Sequence, residues 1–172
     1  MRLVATLVCL LASPALAQQS SQAPETTESF GSWTVRCVGQ ETEKSCEAVL
    51  TVSGQGGLIA QIAFGRPDVA KEAVMAARTP LGVHVASPLA LALQGEGGTI
   101  VSAAFSTCLP AGCLAQARVS DAELDAFGAG ETATIEFTER TGRKVRVNIP
   151  LGGLGDALQR LSCGKAACEP VE

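Results

Sequence analysis

Thiols are the groups in this sequence best spaced to do chemistry. Three couples stand out: Cys37 with Cys46, Cys108 with Cys113, and Cys163 with Cys168, the last two sharing the spacing CxxxxC. Reduced, two such couples could surround a zinc ion with four thiolates, although the spacing is wide for that. A thioredoxin-like centre wants CxxC at a helix start, which is absent, and only Cys108 and Cys113 would make a sensible redox pair. Oxidised, each couple closes a short loop. Such closure contributes about 2 kcal/mol for a ring of about five residues and about 2.7 kcal/mol for about ten. Bridges of this size pin turns rather than hold a fold together.

The other reactive types have ordinary explanations. His84 is the single histidine, set between Val83 and Val85. One imidazole cannot build a His-rich metal site, and a Cys/His hydrolase would need a thiol outside a bridge. Asp121, Glu123 and Asp125 could suggest a carboxylate pair or calcium, but they sit where the first turn of a capped helix favours negative charge. The glycines at 95–98 and 152–155 lack the strand, G-x-G-x-x-G and helix context of a nucleotide loop, so they read as turns. Arg140, Arg143, Lys144 and Arg146 surround the turn TGRK as a solvated strand end. A net charge of −4, few aromatics and no tyrosine argue against a nucleic-acid partner. No catalytic, metal or cofactor constellation emerges.

Compartment follows from the first residues. Met1 and Arg2 precede an apolar run over 3–11, and Ala15, Leu16 and Ala17 form an A-x-A cleavage pattern, so 1–17 reads as a secretory signal peptide. Val8 before Cys9 is wrong for a lipoprotein signal. Removal of the segment reduces seven cysteines to six, and an even number in an exported chain argues for disulfides in the three neighbour pairs. The expected location is periplasmic or secreted. No later stretch is long and uncharged enough to span a bilayer. The expected organisation is a polar lead-in over 18–28, one domain over 29–164 and a tail over 165–172.

The elements that would position these residues centre on 29–50. Trp33, Val35 and Cys37 alternate on one strand, and Cys46, Ala48, Leu50 and Val52 on the next, so the two cysteines can face each other across a hairpin. Leu58, Ala60, Ile62 and Phe64 give a third strand. Local propensity makes 68–78 helical, because Ala, Lys, Glu and Met dominate it. Val83 and Val85, then Leu89, Leu91 and Leu93, then 99–105 and 114–119 read as extended. Ser120 and Glu123 form a capping box, Val119 and Leu124 a hydrophobic staple, and Gly128 is expected to end that helix. Ala133, Ile135 and Phe137 pair with Val145, Val147 and Ile149 as a hairpin with one half-buried face. Leu154, Leu158 and Leu161 have the spacing of a closing amphipathic helix that ends at Gly164. Many short strands and two brief helices predict an all-β antiparallel sandwich, with Trp33, Phe64, Phe105 and Phe137 as its large inward side chains.

Phe30, Gly31, Ser32, Trp33, Thr34, Val35, Arg36 and Cys37, followed by Cys46, Glu47 and Ala48, resemble the opening signature of the invasion-associated locus B family. Thr79, Pro80, Leu81, Gly82 and Val83, the segment from Cys108 through Ala115, and the strand into Pro150, Leu151 and Gly153 are similar as well. The resemblance implies an exported bacterial protein with an immunoglobulin-like β-sandwich, no known catalytic residues and, for the founding members, a role in host-cell invasion. It also implies that 71–79 is a strand, against propensity. Cys163 and Cys168 depart from the family pattern. The expected function is that of a non-enzymatic protein-interaction domain of the bacterial envelope, meeting a protein of the envelope or the host. The hairpin over 140–146 and the bridged turn at 108–113 are its expected surfaces. The alternatives are a structural accessory subunit of a periplasmic or membrane complex and a periplasmic thiol factor.

Overall fold

The computed structural model describes residues 25–39, 45–66, 72–95, 98 and 100–162. In chain order the strands are β1 (Glu25–Phe30), β2 (Trp33–Val38), β3 (Ser45–Gly54), β4 (Gly57–Gly65), β5 (Ala73–Thr79), β6 (Leu89–Leu93), β7 (Ile100–Leu109), β8 (Gly112–Val119), β9 (Thr132–Thr138) and β10 (Lys144–Pro150). Two helices complete the order: α1 (Asp121–Ala129) between β8 and β9, and α2 (Leu154–Ser162) after β10.

Every pairing is antiparallel, and the strands lie in the order β1-β2-β3-β4-β5-β8-β7-β6-β9-β10. The sheet curls along β7, which changes partner partway: its residues 100–103 pair with β6, and its residues from Ala104 on pair with β8, with a register shift after Phe105. The curl lays Leu89, Leu91, Ile135 and Ile149 against Trp33, Ile62, Phe64 and Met75 in one core. Full burial of side chains this large stabilises by about 1.5–3 kcal/mol each.

Trp33 joins the two ends of the strand order. Its ring is wholly buried, 5.8 Å from that of Phe64, and its indole Nε1–H donates to the Pro150 carbonyl at the end of β10 (3.2 Å). Nearby, the Ser32 N–H donates to Gly152 O (3.3 Å). Gly153 has φ +90, and a Cβ there would lie 2.1 Å from Phe30 O, so only glycine lets these turns meet.

Three expectations change, and the strand expected over 71–79 forms against local propensity. Residues 73–79 form β5, as the resemblance implied: Ala73, Met75, Ala77 and Thr79 are buried on alternate positions between β4 and β8, and that packing overrides helical propensity. Glu25 and Glu28 belong to a strand rather than to the lead-in expected over 18–28. Helix α1 runs past Gly128 to Ala129, with Gly130 as its C-cap. Gly155 of α2 instead makes room for α1, since a Cβ on it would lie 2.9 Å from the Gly128 carbonyl oxygen. Phe105 is half-buried where β7 leaves β6, whereas Phe127 on α1 is wholly buried, 6.1 Å from Phe64. The Ser120–Glu123 capping box forms as read. The end of α2 expected at Gly164, and the couple Cys163 and Cys168, lie outside the described residues.

Candidate interaction surface

The surface grows from the β9–β10 hairpin, whose alternation buries Ile135, Phe137 and Ile149 and turns Glu136, Lys144 and Arg146 outward. At its turn the Glu139 N–H donates to Arg143 O, and the Gly142 N–H donates to Glu139 O, both at 2.8 Å. The Arg143 guanidinium forks onto Glu139, with Nε 2.8 Å from Oε2 and a second bond to Oε1. That bond holds the Glu139 carboxyl below the usual glutamate range and raises Arg143. Lys144 Nζ lies 2.8 Å from Glu136 Oε1, and Arg146 bonds Oε2 of the same carboxylate. The Lys144 hydrogen bond, followed by that of Arg146, lowers Glu136. Of the basic cluster expected from sequence, Arg143, Lys144 and Arg146 therefore form a ladder of exposed ion pairs in which Lys144 and Arg146 share one acid.

The loop after β5 packs beside this turn. Val83 bridges Glu139, the His84 N–H donates to Thr138 O (2.8 Å), and the Arg140 N–H donates to Gly82 O (2.7 Å). His84 is exposed, with Nδ1 3.0 Å from Ser87 Oγ. At the start of the same loop Thr79 pairs with Cys113, which is bonded to Cys108 directly across the β7–β8 hairpin. The two turns singled out by sequence thus lie at one end of the domain, joined through 79–83. Leu81 and Val85 on the loop after β5, and Leu109 in the bridged turn, stand 58–59% exposed. A groove of about 240 Å³ opens among Leu58, Ile59, Leu81, Val83, Phe137 and Val145, with Arg143 at its rim. Sequence reasoning missed these exposed aliphatics. The available signal was the place of Leu81 in TPLGV and of Leu109 in CLPAGC, beside the Pro and Gly of a turn.

The remaining candidates lie elsewhere. Cys37 is bonded to Cys46 across β2 and β3, far along the sheet from the hairpin. Glu123 serves the helix cap, where its hydrogen bonds with Ser120 lower its pKa, and Asp121 pairs with Arg66. Arg66, Asp121 and Asp125 line a larger groove of about 580 Å³ floored by Phe64, Leu124 and Leu158. No helix among the described residues is long and apolar enough to cross a membrane.

These features define a class of protein first: an antiparallel β domain whose hairpins are closed by disulfides and whose turns present charge beside exposed aliphatic side chains. Residues 33–162 match the family described as invasion associated locus B (IalB) protein, and the chain belongs to that family. Two invasion protein B homologs of Brucella abortus, from strain 2308 and from biovar 1 strain 9-941, are each 30% identical over 142 residues, covering 78% of this chain and 78% of their own. The crystal structure of invasion associated protein b from Bartonella henselae has the same fold, with a TM-score of 0.69 and 23% identity over 79% of this chain and 94% of that one.

Proposed function

We propose that the protein is an exported, non-enzymatic protein-interaction domain of the bacterial envelope, and that it meets its partner through the end carrying the β9–β10 hairpin and the Cys108–Cys113 turn. The observation that carries this reading is the convergence of three exposed aliphatic side chains and an ion-paired basic hairpin on turns fixed by strand pairing and a disulfide. Turns held in this way present side chains at little ordering cost. The non-enzymatic reading is supported by what the reactive groups are doing: the described thiols are spent in bridges, His84 bonds Ser87, and Glu123 caps a helix. Export rests on residues 1–17, which lie outside the described residues. The relatives are named invasion proteins, which makes a host-facing or envelope partner the natural one to seek.

Pull-down from native envelope tests the reading. Arg143→Glu with Lys144→Glu should weaken capture while the melting temperature stays nearly constant. Capture that survives both changes and also survives loss of the Cys108 bridge would reject this surface. Substrate turnover that is lost on substitution of His84 would reject the non-enzymatic reading.

A further inference from the structure

We propose that β10 is a docking edge for an extended, acidic segment of a partner protein, which joins the sheet as an added strand. This rests on the interaction reading above and names the partner chemistry. The backbone carries the first step. Glu139 and Arg143 form a hydrogen-bonded pair, and antiparallel ladders alternate, so the main-chain groups of Val145, Val147 and Ile149 point to β9. Those of Lys144, Arg146 and Asn148 point to the open side. Two independent observations agree. Pro150, which has no N–H, falls on an outward position, and its carbonyl accepts from Trp33 rather than from β9. On β9, Thr138 O and Thr132 O accept from His84 and Gln94 on the side away from β10. Among the described residues β10 pairs with β9 alone, which leaves these alternate donors and acceptors facing outward.

The side chains say what would fit. Val145 and Val147 are half-buried, whereas Ile135 and Phe137 opposite them are 1% and 4% exposed, so the core runs out of cover on β10. An added strand with aliphatic residues at alternate positions would extend that cover. Its intervening residues would lie beside Lys144 and Arg146, whose side chains are 60% and 66% exposed and share Glu136. With Arg140 and Arg143, the hairpin sets four cations against Glu136 and Glu139, an imbalance that favours carboxylates. The same imbalance disfavours a second copy, because β10 against β10 would crowd two such sets of cations together. An alternating aliphatic and acidic segment is the complementary occupant.

The test uses isotope-labelled mature protein and a capped octapeptide of alternating Glu and Val, with a Lys/Val octapeptide as control. Amide hydrogen exchange should slow by about tenfold or more at Lys144, Arg146 and Asn148 in the presence of the Glu/Val peptide, and little at Val145 and Val147. Arg146→Pro removes the central outward N–H and should abolish this protection, whereas Arg146→Gln keeps the N–H and should only weaken it. Should the proline variant melt early, Lys144→Glu with Arg146→Glu keeps every N–H and should transfer the preference to the Lys/Val peptide. No protection of β10, or equal protection by both peptides, overturns the proposal. So does a dimer that Arg146→Pro dissolves, which would assign the edge to a second copy, or adsorption to phosphatidylglycerol vesicles that Arg146→Pro leaves intact, which would assign the hairpin to lipid. In the envelope pull-down, capture by wild type that Arg146→Pro retains rejects strand addition and leaves the interaction reading standing; capture by neither wild type nor variant rejects that reading itself.

Discussion

Strands β1 and β10 both end the strand order, yet they are held by different forces. On β1, Glu25, Thr26, Thr27, Glu28 and Ser29 are exposed, and only Phe30 packs against the core. Its order comes from the backbone ladder to β2 and from Arg160 of α2, whose guanidinium grips Glu28 with two bonds of 2.9 Å and is raised by it. On β10, Ile149 is wholly buried and Val145 and Val147 are half-buried, while the charged residues alternate outward. An added strand beside β1 would cover almost no apolar surface; beside β10 it would continue a core. An edge becomes a docking edge when its inner face is unfinished, and open backbone groups alone do not make one.

The largest expected effect removes what ties these two ends together. Trp33→Ala deletes a fully buried ring and the indole bond to Pro150, and should cost about 3–5 kcal/mol in urea denaturation. A loss below about 1 kcal/mol would mean that the two ends are joined mainly by the glycine turns at 31 and 153. Next, Ile149→Ala on β10 should cost about 2–5 kcal/mol, and Phe30→Ala on β1 distinctly less, since Phe30 is only half-buried. The reverse order would show β1 to be the better-packed edge and would undo the comparison.

The same contrast explains what the sequence made legible. The β9–β10 hairpin was readable because Ala133, Ile135, Phe137, Val145, Val147 and Ile149 alternate, and α1 because Ser120 and Glu123 carry a specific capping pattern. Strand β1 was missed because ETTESF has no buried face to impose a period. Strand β5 contradicts its local propensity, since its place between β4 and β8 is decided by residues distant in the chain. The basic residues were visible as a cluster, but their pairing with Glu136 and Glu139 depends on register, and the open edge of β10 depends on the strand order of the whole sheet.

Disulfides sharpen the comparison at the next level down. Cys37–Cys46 braces the β1 side of the sheet, and Cys108–Cys113 braces the turn near the proposed surface. Replacing the first pair by serine should cost about 2.7 kcal/mol and the second about 2 kcal/mol, with partner capture sensitive chiefly to the second. Thiol titration of the denatured, unreduced chain over 18–172 should find essentially no free thiol, which extends the expectation to Cys163 and Cys168. Two or more reactive thiols per chain would refute it.

The smallest effect is a titration, and it tests the charge pattern of β10 directly. Glu136 is lowered first by its hydrogen bond with Lys144 and then by that with Arg146, and Glu139 by Arg143. A carboxylate with a lowered folded pKa contributes stability that is complete above its unfolded value, about 4.3, and is lost as pH falls through the lower folded value. Carboxyl NMR should therefore show both glutamates titrating on the acid side of an unperturbed glutamate, with the ion pairs of the hairpin dissolving in that window. Lys144→Gln and Arg146→Gln should each raise the Glu136 midpoint, and added salt should shrink both shifts because the pairs are exposed. A midpoint that neither change moves would mean that the hydrogen bonds of Lys144 and Arg146 do not hold Glu136 low. In that case both cations would stand free of Glu136 and be open to an acidic strand arriving at this edge.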